Sequence, residues 1–599
     1  MSVLPAGPSG VSASALPPSL SPAPAALLGV LALLALGAAG LLLGLVFGLA
    51  SYADVRALSR LPYHEGGFQR LPLACSAGAW LGFRLGLGLL LLALSALAIW
   101  LWWRPAGHPG RREARLLTQE TRAALPALAH SLRTLSRPQA GLALALLALL
   151  LAVRTYFLVT FPVDGDEVRS YFSFAGPGFR AALGFYPQPN NHVLYNLLGV
   201  AFHALSPGLT GTIRLPTFLL GAGGTVLVFA ASLRFVPYAV ALGTVGLFSF
   251  TPQALFHSFV GRGYLLQALL AALALLAVLG LGYRRTRQRL YWAVLVAASA
   301  LGLLTIPTFV YVVVPLFAGL ALHLGRQRRF AELRLALSAG LLTALTAALL
   351  YTPILLLSGP ARLLRNVYVQ PNLSLAYLKL RLLGPTAPAP VLLVAALLAG
   401  LALLGALLWA SRRAAPGSDV RRSAPWLLAL LLGPLPIMLL QRVLPPGRVF
   451  TYLPFFGLLG LLLLLDYSWP ARWPRRWLTV GCALAIVGLG AFQTHRTWRQ
   501  SQTLGARSAQ VQAAFGFLTR RGPVRVFCNQ DHYQVFLYYE SLRHGGLRAL
   551  ATTFQPAATY DYWVLARDEP HPPLPAALRL RYQDDFVRIY EPATAPRLL

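Results

Sequence analysis

Acidic residues are scarce in this chain. Asp and Glu number 18 of 599 residues, against 51 Lys and Arg, and charged residues of both signs make up 12%. A soluble protein of this length would divide into domains with polar surfaces, and there is too little charge here to cover them. Cysteine is scarce too. Cys75, Cys482 and Cys528 are widely separated, which excludes a disulfide framework and a cysteine metal cage. No His-Glu-x-x-His or Cys/His spacing accompanies His192, His203 or His257, so no metal site and no divalent-metal cofactor is indicated. The net charge of +33 brings no nucleic-acid recognition motif with it. Its arginines lie in short segments between apolar runs rather than on one face or tail, which excludes nucleic acid as a partner.

Apolar residues are plentiful. They make up 57% of the chain, and mean hydropathy is +0.62. Runs of about twenty apolar residues, enough to span a bilayer as helix, recur from end to end. The expected spans are roughly 25–50, 78–103, 140–161, 215–233, 237–256, 263–283, 290–305, 307–323, 334–357, 389–411, 426–441, 451–468 and 477–493. The fold class is therefore a polytopic α-helical membrane protein with about thirteen transmembrane helices. Residues 1–24, rich in Pro, Ser and Ala, read as a disordered tail. Residues 25–138 read as a helix pair followed by a basic cytoplasmic loop, and 139–493 as the transmembrane core.

The arginines set the orientation. Arg104 to Arg137, "YRRTRQR" (283–289), "GRQRRF" (325–330), "SRRAAPGSDVRRS" (411–423) and "ARWPRRW" (471–477) alternate between spans without contradiction if all are cytoplasmic. The N-terminus is then inside. Loops 51–77, 162–214, 257–262, 358–388 and 441–450 are outside, as is everything after 494. In loop 162–214, Leu194, Leu197, Leu198, Ala201, Phe202 and Leu205 form one helical face, with His192, Tyr195, Asn196 and His203 on the other. That pattern predicts a helix in the membrane interface. The tail 494–599 has the composition of a small external α/β domain, with strands at 524–529, 560–566 and 578–592 and a helix at 532–545.

The external loops hold the residues capable of chemistry. "VDGDEVRSYF" (163–172) places Asp164, Asp166 and Glu167 directly after an apolar span. A carboxylate at a low-dielectric boundary can serve as a general base. Asp164 is given no role beyond ending the helix. "YPQPNNHVLYN" (186–196) brings Asn190, Asn191 and His192 into the same loop. "SFVGRGYLLQALL" (258–270) offers Arg262 and Tyr264, and "QRVLPPGRVFTYLPFF" (441–456) offers Arg442 and Arg448. The last two run against the positive-inside trend, and guanidinium suits a lipid-linked phosphate. Arg362, Arg365, Tyr368, Asn372, Tyr377, Lys379 and Arg381 give loop 358–388 the character of a rim for a polar substrate.

Together "DEVRSYF", "NNHVLYNLL", "RLPTFLLGAGGTVLVFAASLRF" (214–235), "GRGYLLQALL" and "PPGRVFTYLPFF" resemble the C-type (GT-C) integral-membrane glycosyltransferases. The likeness is to the broad bacterial group related to protein O-mannosyltransferases and lipid A aminoarabinose transferases. It covers roughly residues 140–500. Asn190-Asn191-His192 stands where relatives often carry His-Pro-Pro, which puts acceptor handling in doubt. The resemblance implies a bacterial inner-membrane hexosyl- or pentosyltransferase acting on the periplasmic side. It implies inverting transfer of a sugar from a polyprenyl-phosphate donor to a hydroxyl of a glycan, lipid or protein acceptor. It assigns both Asp166 and Glu167 as catalytic, Asp166 as the base and Glu167 as its neighbour that positions the acceptor. It implies that Asn190, Asn191, His192, Arg262, Tyr264, Arg442 and Arg448 are the residues expected to bind substrate. Members of this fold differ in metal use. The rival is a transporter or flippase, which calls for ionisable groups inside the spans. Arg84 is the clearest such charge, and it lies in the added N-terminal pair.

Overall fold

The computed structural model describes residues 22–61, 71–284, 286–364, 371, 374, 390–552, 554–555, 558–567 and 578–592, the side chains of 390–397 and 531 excepted. The N-terminal tail and most of the basic rim of loop 358–388 lie outside the described residues. In hydrocarbon a backbone N–H or C=O has no water to pair with, so an apolar run folds as helix. The chain proceeds through α1 (Pro24–Phe47), α2 (Ala77–Trp103), α3 (Pro109–Arg122), α4 (Arg137–Thr160), α5 (Gly165–Ser170) and α6 (Val193–Leu205). It continues through α7 (Leu215–Ser232), α8 (Tyr238–Ser249), α9 (Tyr264–Tyr283), α10 (Gln288–Thr305), α11 (Val310–Arg326) and α12 (Phe330–Leu357). Then come α13 (Pro390–Arg413), α14 (Asp419–Leu432), α15 (Leu453–Ser468), α16 (Arg476–Thr519) and α17 (Asp531–His544).

Among the described residues, ten helices are long and apolar enough to cross a membrane. The expected count of about thirteen is not confirmed. The run 237–256 divides into α8 and a short helix Pro252–Phe256, because Pro252 has no N–H to continue the ladder. Leu453–Ser468 is also shorter than those ten, and α13 begins in residues whose side chains are not described.

Helix α9 is the axis of the core, buried on nearly every side. Without a hydrophobic driving force between helices in lipid, close packing holds them together. Gly280 illustrates it: a Cβ there would lie 2.6 Å from the Tyr291 ring of α10. The added N-terminal pair is joined to this core at both ends. Trp80 of α2 donates to Ala50 O (3.0 Å) within the pair, and Ala74 N–H just before α2 donates to Leu357 O at the end of α12 (2.9 Å), while α3 reaches α10 at the other end. The basic stretch 104–138 contributes more than arginine. Glu113 and Glu120 of α3 are buried and grip Arg289 of α10 at 2.6 and 3.3 Å.

The final span does not stop at residue 493. α16 runs unbroken for 44 residues into the C-terminal domain, since no proline interrupts it. There β1 (Val524–Cys528) pairs in parallel with β2 (Leu547–Ala551) and β3 (Tyr562–Ala566). β5 (Val587–Pro592) runs antiparallel to β3 and to β4 (Leu578–Gln583), giving the order β2-β1-β3-β5-β4. Strand β2 was absent from the sequence expectation, its alternation being too weak to mark it. Helix α17 seats the domain on the core. Val168 of α5 shares one apolar cluster with Val535, Tyr539 and the sheet.

Candidate functional site

The acidic segment turns one helix end into the next helix start. Asp164 is the N-cap of α5: its Oδ1 accepts from Asp166 N–H (2.9 Å), and Glu167 Oε2 accepts from Asp164 N–H (2.9 Å). This reciprocal capping box satisfies donors that a helix start leaves open. It also separates the three carboxylates. Asp164 and Asp166 line a cavity of about 420 Å³, and Glu167 turns inward.

Glu167 is fully buried and saturated. Arg214 Nε and Nη2 donate to its two oxygens at 2.8 and 2.6 Å, and Gly261 N–H donates to Oε1 at 2.8 Å. Arg214 in turn donates to Phe161 O (2.7 Å) and Pro162 O (2.8 Å) at the end of α4. Gly261 has to be glycine here, since a Cβ would lie 1.9 Å from Ile213 Cγ2. The Glu167–Arg214 pair therefore ties α4, α5, α7 and the loop 257–263 together beneath the cavity.

Asp166 faces the cavity, its side chain 21% exposed. Arg448 Nη1 lies 3.5 Å from Oδ2, Arg262 Nη2 3.8 Å from Oδ2, and Arg169 Nη1 3.3 Å from Oδ1. Burial pushes the Asp166 carboxyl up, but Arg262, Arg448 and Arg169 outweigh it and hold it below its ordinary value. Asp164 goes the other way. Burial, with Asp166 and Glu167 beside it, pushes Asp164 up to about 6.

Arg262 is held on several sides: Nη1 donates to Ser170 Oγ (2.9 Å), to Asn190 O (3.3 Å) and to Asp166 O (3.3 Å). His192 Nδ1 accepts from Gly263 N–H at 2.9 Å, and Tyr264 meets the imidazole edge-on at 4.7 Å between centroids. Burial, reinforced by the cationic arginines, keeps both His192 and His257 neutral, with His257 pushed down to about 3. His257 Nδ1 is buried without a hydrogen-bond partner among the described residues.

Of the residues expected from sequence, Asp166, Arg262, Tyr264 and Arg448 line one cavity, and His192 stands directly behind Arg262. Asn190 reaches the cluster through its carbonyl. Asn191 is turned into the loop, donating to Ala182 O (2.9 Å) and Phe185 O (3.1 Å) while accepting from Asn196 (2.8 Å). Arg442 is exposed in a left-handed turn (φ 54°) and is not part of the cavity wall. Arg362 donates to Pro187 O (3.2 Å), and the other rim residues named for loop 358–388 lie outside the described residues. α6 buries its polar side, Tyr195 and Asn196, and exposes Leu205. Sequence reasoning missed Gln493, Arg496, Thr497 and Gln500 of α16, which form the opposite wall. Their signal was a polar stripe at i, i+3, i+4 and i+7 continuing the last span without a break.

No protein-family model matches the chain, and no curated protein matches it. Solved structures do. ArnT from Cupriavidus metallidurans in the apo state aligns with 14% identity and a TM-score of 0.50, over 75% of this chain and 98% of that one. ArnT bound to undecaprenyl phosphate aligns with 14% identity and a TM-score of 0.49, over the same shares. The arabinosyltransferase EmbB from Mycobacterium smegmatis aligns with 15% identity and a TM-score of 0.38, over 64% of this chain and 34% of that one. The apo ArnT alignment shows the fold: this chain has a GT-C-like membrane architecture, as its motifs led one to expect.

Proposed function

We propose that the cavity is the catalytic site of a membrane glycosyltransferase. It transfers a sugar from a polyprenyl-phosphate donor to an acceptor hydroxyl, on the side of the membrane opposite the arginine-rich loops. One observation carries the reading: a carboxylate, Asp166, and two guanidiniums, Arg262 and Arg448, converge within 4 Å at a polar cavity on a GT-C fold.

The acceptor oxygen attacks the anomeric carbon and gives its proton to Asp166. The bond from that carbon to the phosphate oxygen breaks, and its electron pair leaves with polyprenyl phosphate. Arg262 and Arg448 meet the charge that gathers on the departing phosphate, an interaction stronger in the transition state than before it. Attack opposite the leaving group inverts the anomeric centre. A bound phosphate also takes up part of the charge that otherwise stabilises ionised Asp166, making it a stronger base as the donor arrives. Glu167, with both oxygens engaged, acts by positioning α5.

The test uses purified protein with polyprenyl-phosphate sugars and membrane extract. Asp166→Asn is expected to slow transfer by at least about 100-fold, the usual scale of general-base loss, with its unfolding temperature unchanged. Undiminished transfer would overturn the assignment of the base.

One observation favours transport instead. Arg154, inside α4, is fully buried, and its one hydrogen bond among the described residues is to Thr225 Oγ1 at 3.4 Å. Ionisable groups inside spans mark pathways through the membrane. Solute flux in proteoliposomes that depends on Arg154, with no transfer from any lipid-linked sugar, would decide for that reading.

A further inference from the structure

The cavity has two walls of different chemistry. The first is charged and carries Asp166, Arg262 and Arg448. The second is supplied by α16, where Gln493, Thr497 and Gln500 share one helical face with Arg496, and Gln253 of the short helix Pro252–Phe256 stands on the same cavity. Gln493 and Thr497 are largely buried residues whose side chains line the cavity and make no hydrogen bond among the described residues. Carboxamides and hydroxyls on a cavity wall that are not already paired within the protein are free to pair with a ligand. Neutral His257, whose buried Nδ1 has no hydrogen-bond partner among the described residues, also lines this cavity.

The charge balance narrows the ligand. Arg262, Arg448 and Arg496 bring three positive charges to the lining, and Asp164 and Asp166 are its carboxylates. Asp166 is already shared between Arg262 and Arg448, and Asp164 caps α5. A lipid phosphate adds the negative charge that this lining lacks. A second cation on the ligand would enter a lining that carries three guanidiniums against two carboxylates, one of which, Asp166, is already held by Arg262 and Arg448, and burying an excess of like charge is unfavourable.

We infer that the Gln493–Thr497–Gln500 stripe of α16 recognises the hydroxyl groups of the transferred sugar, and that the cavity takes a sugar without a cationic substituent. This rests on the glycosyltransferase reading and names its substrate class: a neutral hexose or pentose rather than an amino sugar. Carboxamides suit that task because each offers both donors and acceptors to neighbouring hydroxyls. The guanidiniums hold the phosphate end of the same molecule.

Binding rather than turnover tests it, so that the two readings can fail separately. Full-length protein in nanodiscs is titrated with bare polyprenyl phosphate and with the same lipid phosphate carrying a neutral hexose, a neutral pentose or an amino sugar. The wild type is expected to bind a neutral-sugar donor at least about 10-fold more tightly than the amino-sugar donor. Gln493→Ala with Gln500→Ala should weaken the neutral donor by about 10-fold, as loss of two hydrogen bonds predicts, while bare polyprenyl phosphate changes by less than about twofold. Preference for the amino sugar, or equal weakening of bare and glycosylated lipid, overturns the inference. Selective binding of a neutral donor without transfer to any acceptor would sink the enzymatic reading and leave the stripe's role standing.

Discussion

Asp166 and Glu167 are adjacent in the chain and have opposite surroundings. Glu167 has no exposed surface and forms a two-pronged pair with Arg214, whereas Asp166 looks into the cavity. Removing one partner of a buried pair leaves the other charged and unsolvated, at a cost of about 3–5 kcal/mol. Glu167→Gln is therefore expected to lower the unfolding temperature sharply, whereas Asp166→Asn should leave it near wild type. Thermal unfolding of the two purified variants in one detergent checks this. Asp164 adds a pH signature. Its carboxyl is raised to about 6, so the folded protein holds a proton there that the unfolded chain gives up near the ordinary value of 3.8. Its contribution is fully present below that lower value and is lost as pH rises through about 6. Asp164→Asn keeps an oxygen for the cap and removes the charge. It should raise stability at pH 7 and flatten the melting-temperature profile over that window; an unchanged profile would show that Asp164 does not titrate there. The sequence located this acidic cluster but could not divide its roles. The D-x-x-E spacing held the clue to the cap, while the partners of Glu167 come from Arg214 and Gly261, both remote in sequence.

At the scale of elements, apolar length made the spans legible, and polar residues between them hid most of the detail. α3 reads as a basic loop because its arginines outnumber its acids, but its two glutamates are the buried part. Glu113 and Glu120 converge on Arg289, and Glu120 also accepts from Leu290 N–H at 2.8 Å. Arg289→Met leaves two carboxylates buried without their cation. We expect α3 to detach, with a loss of about 3–5 kcal/mol on the scale of a broken buried ion pair. Limited proteolysis within 104–138, together with thermal unfolding, reads both effects; protection equal to wild type would show that α3 is held by its apolar face alone. Hydropathy falls after residue 493 and marks the end of a span there, but it reports membrane contact and not helix continuity, so α16 continues past it. Its stripe at 493–500 became legible only when the helix was seen to continue past the span.

At the scale of the whole molecule, the C-terminal domain rests directly on the helix that carries Asp166. Val535 of α17 packs against Gly165, where an added Cβ would come within 2.9 Å of its Cγ1. Phe172 and Tyr539 meet edge-on nearby, with centroids 5.8 Å apart. The domain was legible as α/β from its strands, but its seat was not, because the contact joins residues some 370 positions apart in sequence. Tight packing of this kind passes displacement on, since interiors have few voids to absorb it. A larger residue at 165 must push either α17 outward or α5, with Asp166, toward the cavity. Gly165→Val is therefore expected to lower transfer by about 10-fold or more, since a misplacement of about 1 Å at a reacting group can cost 100-fold. Val535→Ala on its own should have little effect, and the double variant should recover most of the activity because the space removed at 535 admits the methyls added at 165. A double variant as slow as Gly165→Val alone would mean that the substitution acts within α5, and that the domain does not set the position of Asp166.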